Sequence, residues 1–357
     1  MKILVVGGGG REHAIVWKLS LSPRKPEIYC APGNAGISSI AGCFPVKATD
    51  IDGIIDLAVN EKIDLVVVAP DDPLAMGLVD RLVERGIKAF GPTAKAAEIE
   101  SSKVFSKSLM KKYGIPTAEY KVFDDISAAR EFIQALEPPI VVKADGLALG
   151  KGVVIASTRE EAVMSASEML SGKAFGESGK KVLIEEFLSG RELTILAFTD
   201  GITVLAMPDS RDHKKALDGD KGLNTGGMGA ISPAEKLTKD DWARLYDEIM
   251  YPTINAMKTE GRPFEGVIYF GLMLTSSGAK VIEYNARFGD PEAQAVLPLL
   301  ETDLLDIIEA VIAHKLDTID IKWSGKASCC VVAASGGYPQ EYNTGYEISG
   351  LDKVGSL

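Results

Sequence analysis

Lys143-Ala-Asp-Gly-Leu-Ala-Leu-Gly-Lys-Gly-Val153 is the stretch on which the reading of this chain turns. The apolar run Ile140-Val-Val before it predicts a strand that ends on a lysine. Gly146, Gly150 and Gly152 then make a pliable loop whose backbone can approach a ligand closely, and Lys151 adds a second cation. A mobile cover over a polyphosphate is built this way, with glycines for close approach and lysines to neutralise charge. The G-x-x-x-x-G-K-[ST] spacing of a Walker loop is absent. Taken alone, a flexible hairpin explains the pattern equally well.

Two stretches downstream point the same way. Lys280-Val-Ile predicts a strand running into Glu283-Tyr-Asn-Ala-Arg287, so Glu283, Asn285 and Arg287 fall at alternate positions on one face. A carboxylate and an amide oxygen are hard donors suited to Mg²⁺, which otherwise takes phosphate oxygens and water. Arg287 beside them suits a transferring phosphoryl group. A solvated strand face is the bland alternative, and the tight acidic turn Phe288-Gly-Asp-Pro-Glu292 weakens it. In Glu185-Glu-Phe-Leu-Ser-Gly-Arg-Glu192 a strand ends on two acids, turns, and offers a third. Such an edge can present backbone to an adenine ring, and the later carboxylate can take ribose hydroxyls. Solvated acids explain the same residues one at a time.

Upstream, strand-like runs at 2–7, 27–31, 64–70 and 88–92 alternate with helical stretches at 11–21, 51–62, 73–85 and 93–113. Apolar strands in that alternation predict a parallel α/β sheet, ended by Gly114 and Pro116. Gly7-Gly-Gly-Gly-Arg-Glu-His13 lies between the first strand and helix, where backbone N–H groups can face an anion. A dinucleotide fingerprint fails here. Its third glycine position is Glu12, and the second strand ends in Ala31-Pro-Gly33 with no carboxylate for a ribose diol. A single phosphate near Arg11 suits the loop better, with a plain tight turn as the alternative.

The rest reads as α+β. Helices are expected at 127–136, 159–170, 240–258 and 303–315, extended runs at 192–201 and 202–210, and a hairpin over 266–287 turning at Ser-Ser-Gly. Residues 211–234 are polar and glycine-rich and read as a long ordered or substrate-gated loop. The 357 residues allow two to three domains, and 46% hydrophobic with 25% charged residues excludes intrinsic disorder. A net charge of −11 disfavours nucleic acid as a partner. No apolar run approaches the roughly 18 residues of a membrane span, and the opening is too short and glycine-rich for a signal peptide. Cys30, Cys43, Cys329 and Cys330 form no CxxC pair and are expected as core thiols in a cytoplasmic protein.

Lysine strand, glycine cover, E-E-F-L-x-G-x-E turn and E-x-N-x-R strand, in this order, resemble the ATP-grasp superfamily. GGGGREHA (7–14), APGNAG (31–36), GPTAKAAEIESSK (91–103), KADGLALGKGV (143–153), DHK (212–214), NTGGMGA (224–230) and RFGDPE (287–292) together resemble the phosphoribosylamine–glycine ligase family over essentially the whole chain. The resemblance implies an N-terminal α/β domain (1–114), an ATP-grasp lid subdomain (115–190), a central ATP-grasp domain (191–318) and the start of a C-terminal domain (319–357) that the family normally continues. It implies a cytoplasmic ligase of purine biosynthesis. ATP would phosphorylate the glycine carboxylate, and the amine of 5-phosphoribosylamine would attack the glycyl phosphate.

The same resemblance implies the site. Lys103 and Lys143 would contact ATP phosphates under Gly146, Gly150, Lys151 and Gly152. Glu185, Glu186 and the backbone at Leu188 would lie at adenine, and Glu192 at the ribose. Glu283 and Asn285 would hold Mg²⁺ or Mn²⁺, and Arg287 the phosphoryl group. Gly8, Gly9, Gly10 and Arg11, with Glu12 and His13, would take the substrate phosphate. Asn224, Gly226, Gly227, Gly229 and Asp290 would shape the remaining substrate site, with Asp212 and His213 joining Lys143 and Arg287 as candidate catalytic groups. Partners would be small molecules only, and the chain a monomer or weak homodimer. Gly271 stands where many ATP-grasp enzymes carry another metal carboxylate, and 69–74 reads Ala-Pro-Asp-Asp-Pro-Leu where relatives often have Gly-Pro-Glu-x-Pro-Leu. A carboxylase-type relative would need bicarbonate instead of glycine, and a dead nucleotide-binding module would bind ATP without turnover. Lys143, Glu283, Asn285 and Arg287, all present, argue against the module.

Overall fold

The computed structural model describes residues 1–146, 152–172 and 180–354. The first sheet comprises β1 (Lys2–Gly7), β2 (Glu27–Pro32), β3 (Gly42–Cys43), β4 (Leu65–Val68) and β5 (Lys88–Phe90), all parallel, in the order β3-β2-β1-β4-β5. Ile3, Leu4, Val5 and Val6 of the middle strand are fully buried, because helices cover both faces. Leu4 and Val6 pack with Ile54 and Leu78 on one side, and Ile3 and Val5 with Ile15 and Leu19 on the other.

Two expected helices are each split. The stretch 73–85 becomes Asp71–Ala75 and Leu78–Glu84, because Gly77 adopts φ +79° between them. The stretch 93–113 becomes Ala94–Ser101 and Lys103–Tyr113. Ser102 there is extended, and its hydroxyl accepts the Phe105 N–H at 3.1 Å as the cap of the second helix. Serine competes well for a backbone donor, so a second cap can interrupt an otherwise continuous helical pattern. The break makes Lys103 the first residue of a helix.

β6 (Tyr120–Phe123), β7 (Ile140–Ala144), β8 (Val153–Ala156) and β9 (Val182–Glu186) form an antiparallel sheet in the order β6-β9-β7-β8. Helices Ile126–Gln134 and Arg159–Leu170 pack against it. Ile140, Val142, Ala144, Val182 and Ile184 face that core. Strand alternation therefore turns Lys143 and Glu185 to the opposite face.

β10 (Arg191–Asp200) and β11 (Val204–Ala206) open the central sheet. The expected long loop after them is instead paired structure. β12 (Arg211–Asp212) pairs with β15 (Gly229–Ser232), and between them lies the hairpin β13 (Lys215–Leu217)–β14 (Lys221–Asn224). Polar strands this short lack the apolar alternation by which strands are recognised. β16 (Glu265–Thr275) and β17 (Gly278–Asn285) complete the sheet in the order β11-β10-β16-β17. Gly271 pairs with Glu283 but Leu272 with Val281, so Ile282 is the extra residue of a bulge. β17 ends at Asn285, so Arg287 does not continue the strand face as its spacing suggested.

β18 (Ser328–Val331) adds to β15. The core-thiol expectation holds for Cys30 alone: Cys43 and Cys329 are exposed and Cys330 is half-buried. No helix among the described residues is long and apolar enough to cross a membrane.

Candidate active site

Glu283 is the centre of the site. Its carboxylate lies 4.0 Å from Lys214 Nζ and accepts no hydrogen bond among the described residues. Burial opposes its charge, but Lys214, Lys143, Lys103 and Arg287 outweigh that and hold its pKa below the usual carboxylate value. Each cation is aimed by a different element. Lys143 Nζ is 3.0 Å from Glu185 Oε2 and donates to the Ile282 carbonyl at 3.2 Å. Lys103 Nζ donates to the Gly146 carbonyl at 2.7 Å, and burial pulls its pKa down. The bulge at Ile282 brings both Ile282 and Glu283 to the cavity wall with Lys214, Tyr269 and Glu192.

The Asn285 amide lies two residues on, at the end of the same strand, also without a hydrogen-bond partner among the described residues. No group of three or more His, Cys, Asp or Glu side chains that could hold a metal ion occurs among the described residues. Two unspent hard oxygen donors fit a Mg²⁺ that draws its other ligands from phosphates and water. Gly271 faces Glu283 across the ladder, and a Cβ there would stand 3.2 Å from Glu283 Cγ. The residue that lacks the additional carboxylate thus gives Glu283 its room.

Arg287 comes to the same place from the turn after β17. Its Nη2 is 2.9 Å from Glu100 Oε1, and Glu100 Oε2 accepts the Ala286 N–H at 2.6 Å. Both side chains are largely buried, at 17% and 6% exposure. Burial works against the guanidinium charge, yet Glu100, Asp71 and Glu292 raise its pKa above the ordinary value. Glu100 itself is pushed up by burial, with Arg287 opposing. Sequence reasoning missed Glu100, Lys107, Lys214 and Tyr269. GPTAKAAEIESSK contains Glu100 and DHK contains Lys214, but nothing in the spacing aims either at a strand far along the chain.

Asp212 lines the same cavity, and its Oδ1 is buried without a partner. Burial and the nearby Glu292 and Glu192 raise its pKa to about 7, against the pull of Lys214. Lys214 is held charged by Tyr269, Glu283, Glu192 and Asp212. The Tyr269 phenol, deeply buried, is pushed well above its usual range, and its hydroxyl accepts from Thr194 Oγ1 at 3.1 Å. His213 is different: its backbone pairs with Gly229 and Met228 while its side chain is exposed.

The glycine loop packs against the RFGDPE turn. Gly9 N–H is taken by Glu12 Oε2 at 2.6 Å, and Asn34 Nδ2 donates to the Gly8 carbonyl at 3.0 Å. A Cβ on Gly8 would stand 2.6 Å from the Gly33 carbonyl oxygen, and one on Gly9 3.3 Å from Asp290 Oδ2. Asp290 accepts from Gln294 Nε2 at 2.6 Å beside Gly10. Arg11 corrects the expectation that it reaches a substrate phosphate. It is buried, donates to Glu12 Oε1 at 2.6 Å and to the Phe288 carbonyl at 3.2 Å. Glu12 is equally committed, because a buried guanidinium is stable only with such partners. His13 packs against Gly36, a short distance along the same wall.

Gly227, at φ +118°, lies against Pro291 and Asp212, and Gly226 N–H donates to the Tyr338 hydroxyl at 2.9 Å. Gly229, at φ +150°, is held against the Cys330 carbonyl, and Asn224 ends exposed β14. On the nucleotide side, Glu192 is exposed at the cavity mouth and Leu188 lies in the turn between β9 and β10. Glu185 is buried, with its Oε2 shared by Lys143 and Lys107 and its Oε1 unpartnered. Glu186 turns away to pair with Lys280 at 2.9 Å. The Gly152 carbonyl accepts the Ala144 N–H at 2.9 Å, and Gly146 adopts φ +98°. Gly150 and Lys151 lie outside the described residues.

The chain is similar to known proteins in sequence and fold. The family model described as phosphoribosylglycinamide synthetase, N domain, matches residues 1–100, and that described as phosphoribosylglycinamide synthetase, ATP-grasp (A) domain, matches 101–293. The phosphoribosylamine–glycine ligase of Caldanaerobacter subterraneus subsp. tengcongensis is 50% identical over 354 residues, covering 99% of this chain and 85% of its own length. The crystal structure of phosphoribosylamine–glycine ligase from Thermotoga maritima matches with a TM-score of 0.84 at 33% identity, over 96% of this chain and 83% of that one. The biotin carboxylase domain of the Hydrogenobacter thermophilus 2-oxoglutarate carboxylase shares the fold, with a TM-score of 0.71 at 20% identity over 92% of this chain and 73% of that one.

Proposed function

The chain belongs to the phosphoribosylglycinamide synthetase family, and from that premise we propose how its residues divide the work. It is an ATP-grasp ligase that joins glycine to 5-phosphoribosylamine, giving glycinamide ribonucleotide, ADP and phosphate in purine biosynthesis. A glycine carboxylate is a poor electrophile. Its oxygen attacks the γ-phosphorus of ATP, ADP leaves, and the acyl phosphate so formed carries phosphate as a leaving group. The amine of phosphoribosylamine then attacks the acyl carbon, phosphate departs, and the amine gives up a proton.

Charge and position are what such steps need from a protein. Lys103 and Lys143 neutralise the polyphosphate, and Arg287 holds the phosphoryl group in transfer. Glu283 and Asn285 hold Mg²⁺ or Mn²⁺, which would draw charge from the phosphate oxygens as the group moves. Gly146 and Gly152, with Gly150 and Lys151, cover the nucleotide. Glu185 and Leu188 border adenine, and Glu192 takes the ribose. Gly8 and Gly10 receive the substrate phosphate on backbone N–H groups, with Gly9, whose own N–H is held by Glu12, giving close approach and His13 nearby. Asp290 and the segment Asn224–Gly229 border the glycine and amine. Asp212, with its unpartnered Oδ1, takes the proton that the attacking amine releases.

One observation carries this reading. On one strand stand a carboxylate and an amide that accept no hydrogen bond among the described residues, and four cations from separate parts of the chain surround the carboxylate. We take the working unit to be a monomer or weak homodimer, with domains as 1–114, 115–190, 191–318 and 319–357. Four free thiols support a reducing, cytoplasmic setting. The test is phosphate release with Mg·ATP, glycine and freshly made phosphoribosylamine. Release should need all three, and release that ignores omission of glycine or the amine refutes the reading.

A further inference from the structure

The roles above leave the buried Lys107 unused. Lys107 is only 2% exposed, yet it sits on helix Lys103–Tyr113 one turn beyond Lys103 and therefore on the same face. Its Nζ lies 3.1 Å from Glu185 Oε2 and donates to Thr117 Oγ1 at 2.8 Å. The Thr117 hydroxyl donates in turn to the Val281 carbonyl at 2.7 Å, two residues before Glu283. The oxygen that Lys107 touches is the one that Lys143 touches at 3.0 Å.

Two ammonium groups thus share one carboxylate, and all three side chains are 5% exposed or less. The other charges facing Lys107 do not cancel the surplus. Glu186 on β9 is paired with Lys280 of β17, and Lys111 on its own helix lies over the Tyr120 ring that Lys107 also faces at 5.6 Å. A lone buried lysine is costly, and methionine would fill the same space without that cost. With Lys107 absent, Glu185 and Lys143 would form a neutral pair, and Lys143 would offer little net charge to an anion.

We propose that Lys107 is a positioning residue for nucleotide binding: by sharing Glu185, it keeps a net positive charge on the Lys143 pair where the ATP phosphates arrive. This rests on the reading of Lys143 as a phosphate contact. Burial, with repulsion from Lys143, draws the Lys107 pKa down to about 8 against the pull of Glu185. Its charge is therefore present at neutral pH and lost as pH rises through that value, and the affinity for Mg·ATP falls with it.

The experiment is calorimetric titration of the whole chain with Mg·ATP, without glycine or amine, from pH 7 to 9. Wild type should weaken across that range. Lys107→Met at pH 7 should bind about tenfold more weakly, and its affinity should stay flat with pH. A merely structural lysine could lower affinity but would not remove the pH dependence. Wild type that binds with no alkaline weakening overturns the inference, even where Lys107→Met does not fold. So does a folded Lys107→Met that keeps wild-type affinity. Wild type that does not bind Mg·ATP at all refutes the nucleotide site itself, which is a separate failure.

Discussion

Replacing Glu100 with glutamine removes one charge and almost no volume, from a residue that touches no substrate in the scheme above. Glu100 Oε1 stands 2.9 Å from Arg287 Nη2, and its other oxygen takes the Ala286 N–H. Glutamine can keep an acceptor for Ala286 but leaves the guanidinium without its counter-charge. Asp71 and Glu292 remain in its surroundings, but among the described residues Glu100 is the carboxylate within ion-pair distance, and Arg287 Nε is already buried with no hydrogen-bond partner. Two unit charges at such a separation and an effective dielectric of 20 attract by about 6 kcal/mol before desolvation is counted. Breaking one side of a buried pair typically costs about 3–5 kcal/mol, since the survivor stays buried and charged. Glu100→Gln should therefore lose about 3 kcal/mol of stability, read by urea denaturation. Arg287, no longer held, should cost turnover about a hundredfold, the usual effect of a small misplacement of a charge-stabilising group. Mg·ATP affinity should change by less than about threefold, because an interaction made only in the transition state lowers kcat and leaves ground-state binding alone. Steady-state phosphate release at saturating substrates is the assay. A folded Glu100→Gln enzyme within twofold of wild-type turnover would mean that Glu100 does not place Arg287.

Two further outcomes follow from the same geometry. With Asp212 titrating at about 7, turnover should rise with pH through that value as its carboxylate becomes able to accept a proton, and Asp212→Asn should abolish the rise. Its raised pKa also means that the folded state holds this proton more tightly than the unfolded one. Stability is then greatest at low pH and lost as pH climbs from about 4 to 7, so Asp212→Asn should melt higher than wild type at pH 8; a lower melting point would contradict the assignment. Gly8→Ala would set a Cβ 2.6 Å from the Gly33 carbonyl, and backbone cannot yield as a side chain can. The KM for phosphoribosylamine should rise while the KM for ATP holds, and equal changes in both would remove the glycine loop from the amine site.

Much of the fold was legible because local rules governed it. β1 and β4 are apolar on both faces, as strands buried between helix layers must be. The breaks at Gly77 and Ser102 were hidden, since hydrophobic periodicity runs across them and only the backbone angles mark the interruption. Among candidate site residues, the placement of Glu283 and Asn285 at alternate positions of one strand could be read from its sequence. Arg11 could not, because an arginine beside a glycine loop looks the same whether it turns out to a phosphate or in to Glu12 and Phe288.

The sequence by itself determined the order of elements, the family and the residue types of the chemistry, since these depend on periodicity and on motifs a few residues long. The tertiary structure alone decided which charges meet. Glu100 and Arg287 are 187 positions apart, and Lys107, Lys143 and Glu185 come from one helix and two strands. Electrostatic energy depends on separations of a few ångströms and on exclusion of water, and chain spacing specifies neither until the sheets have packed.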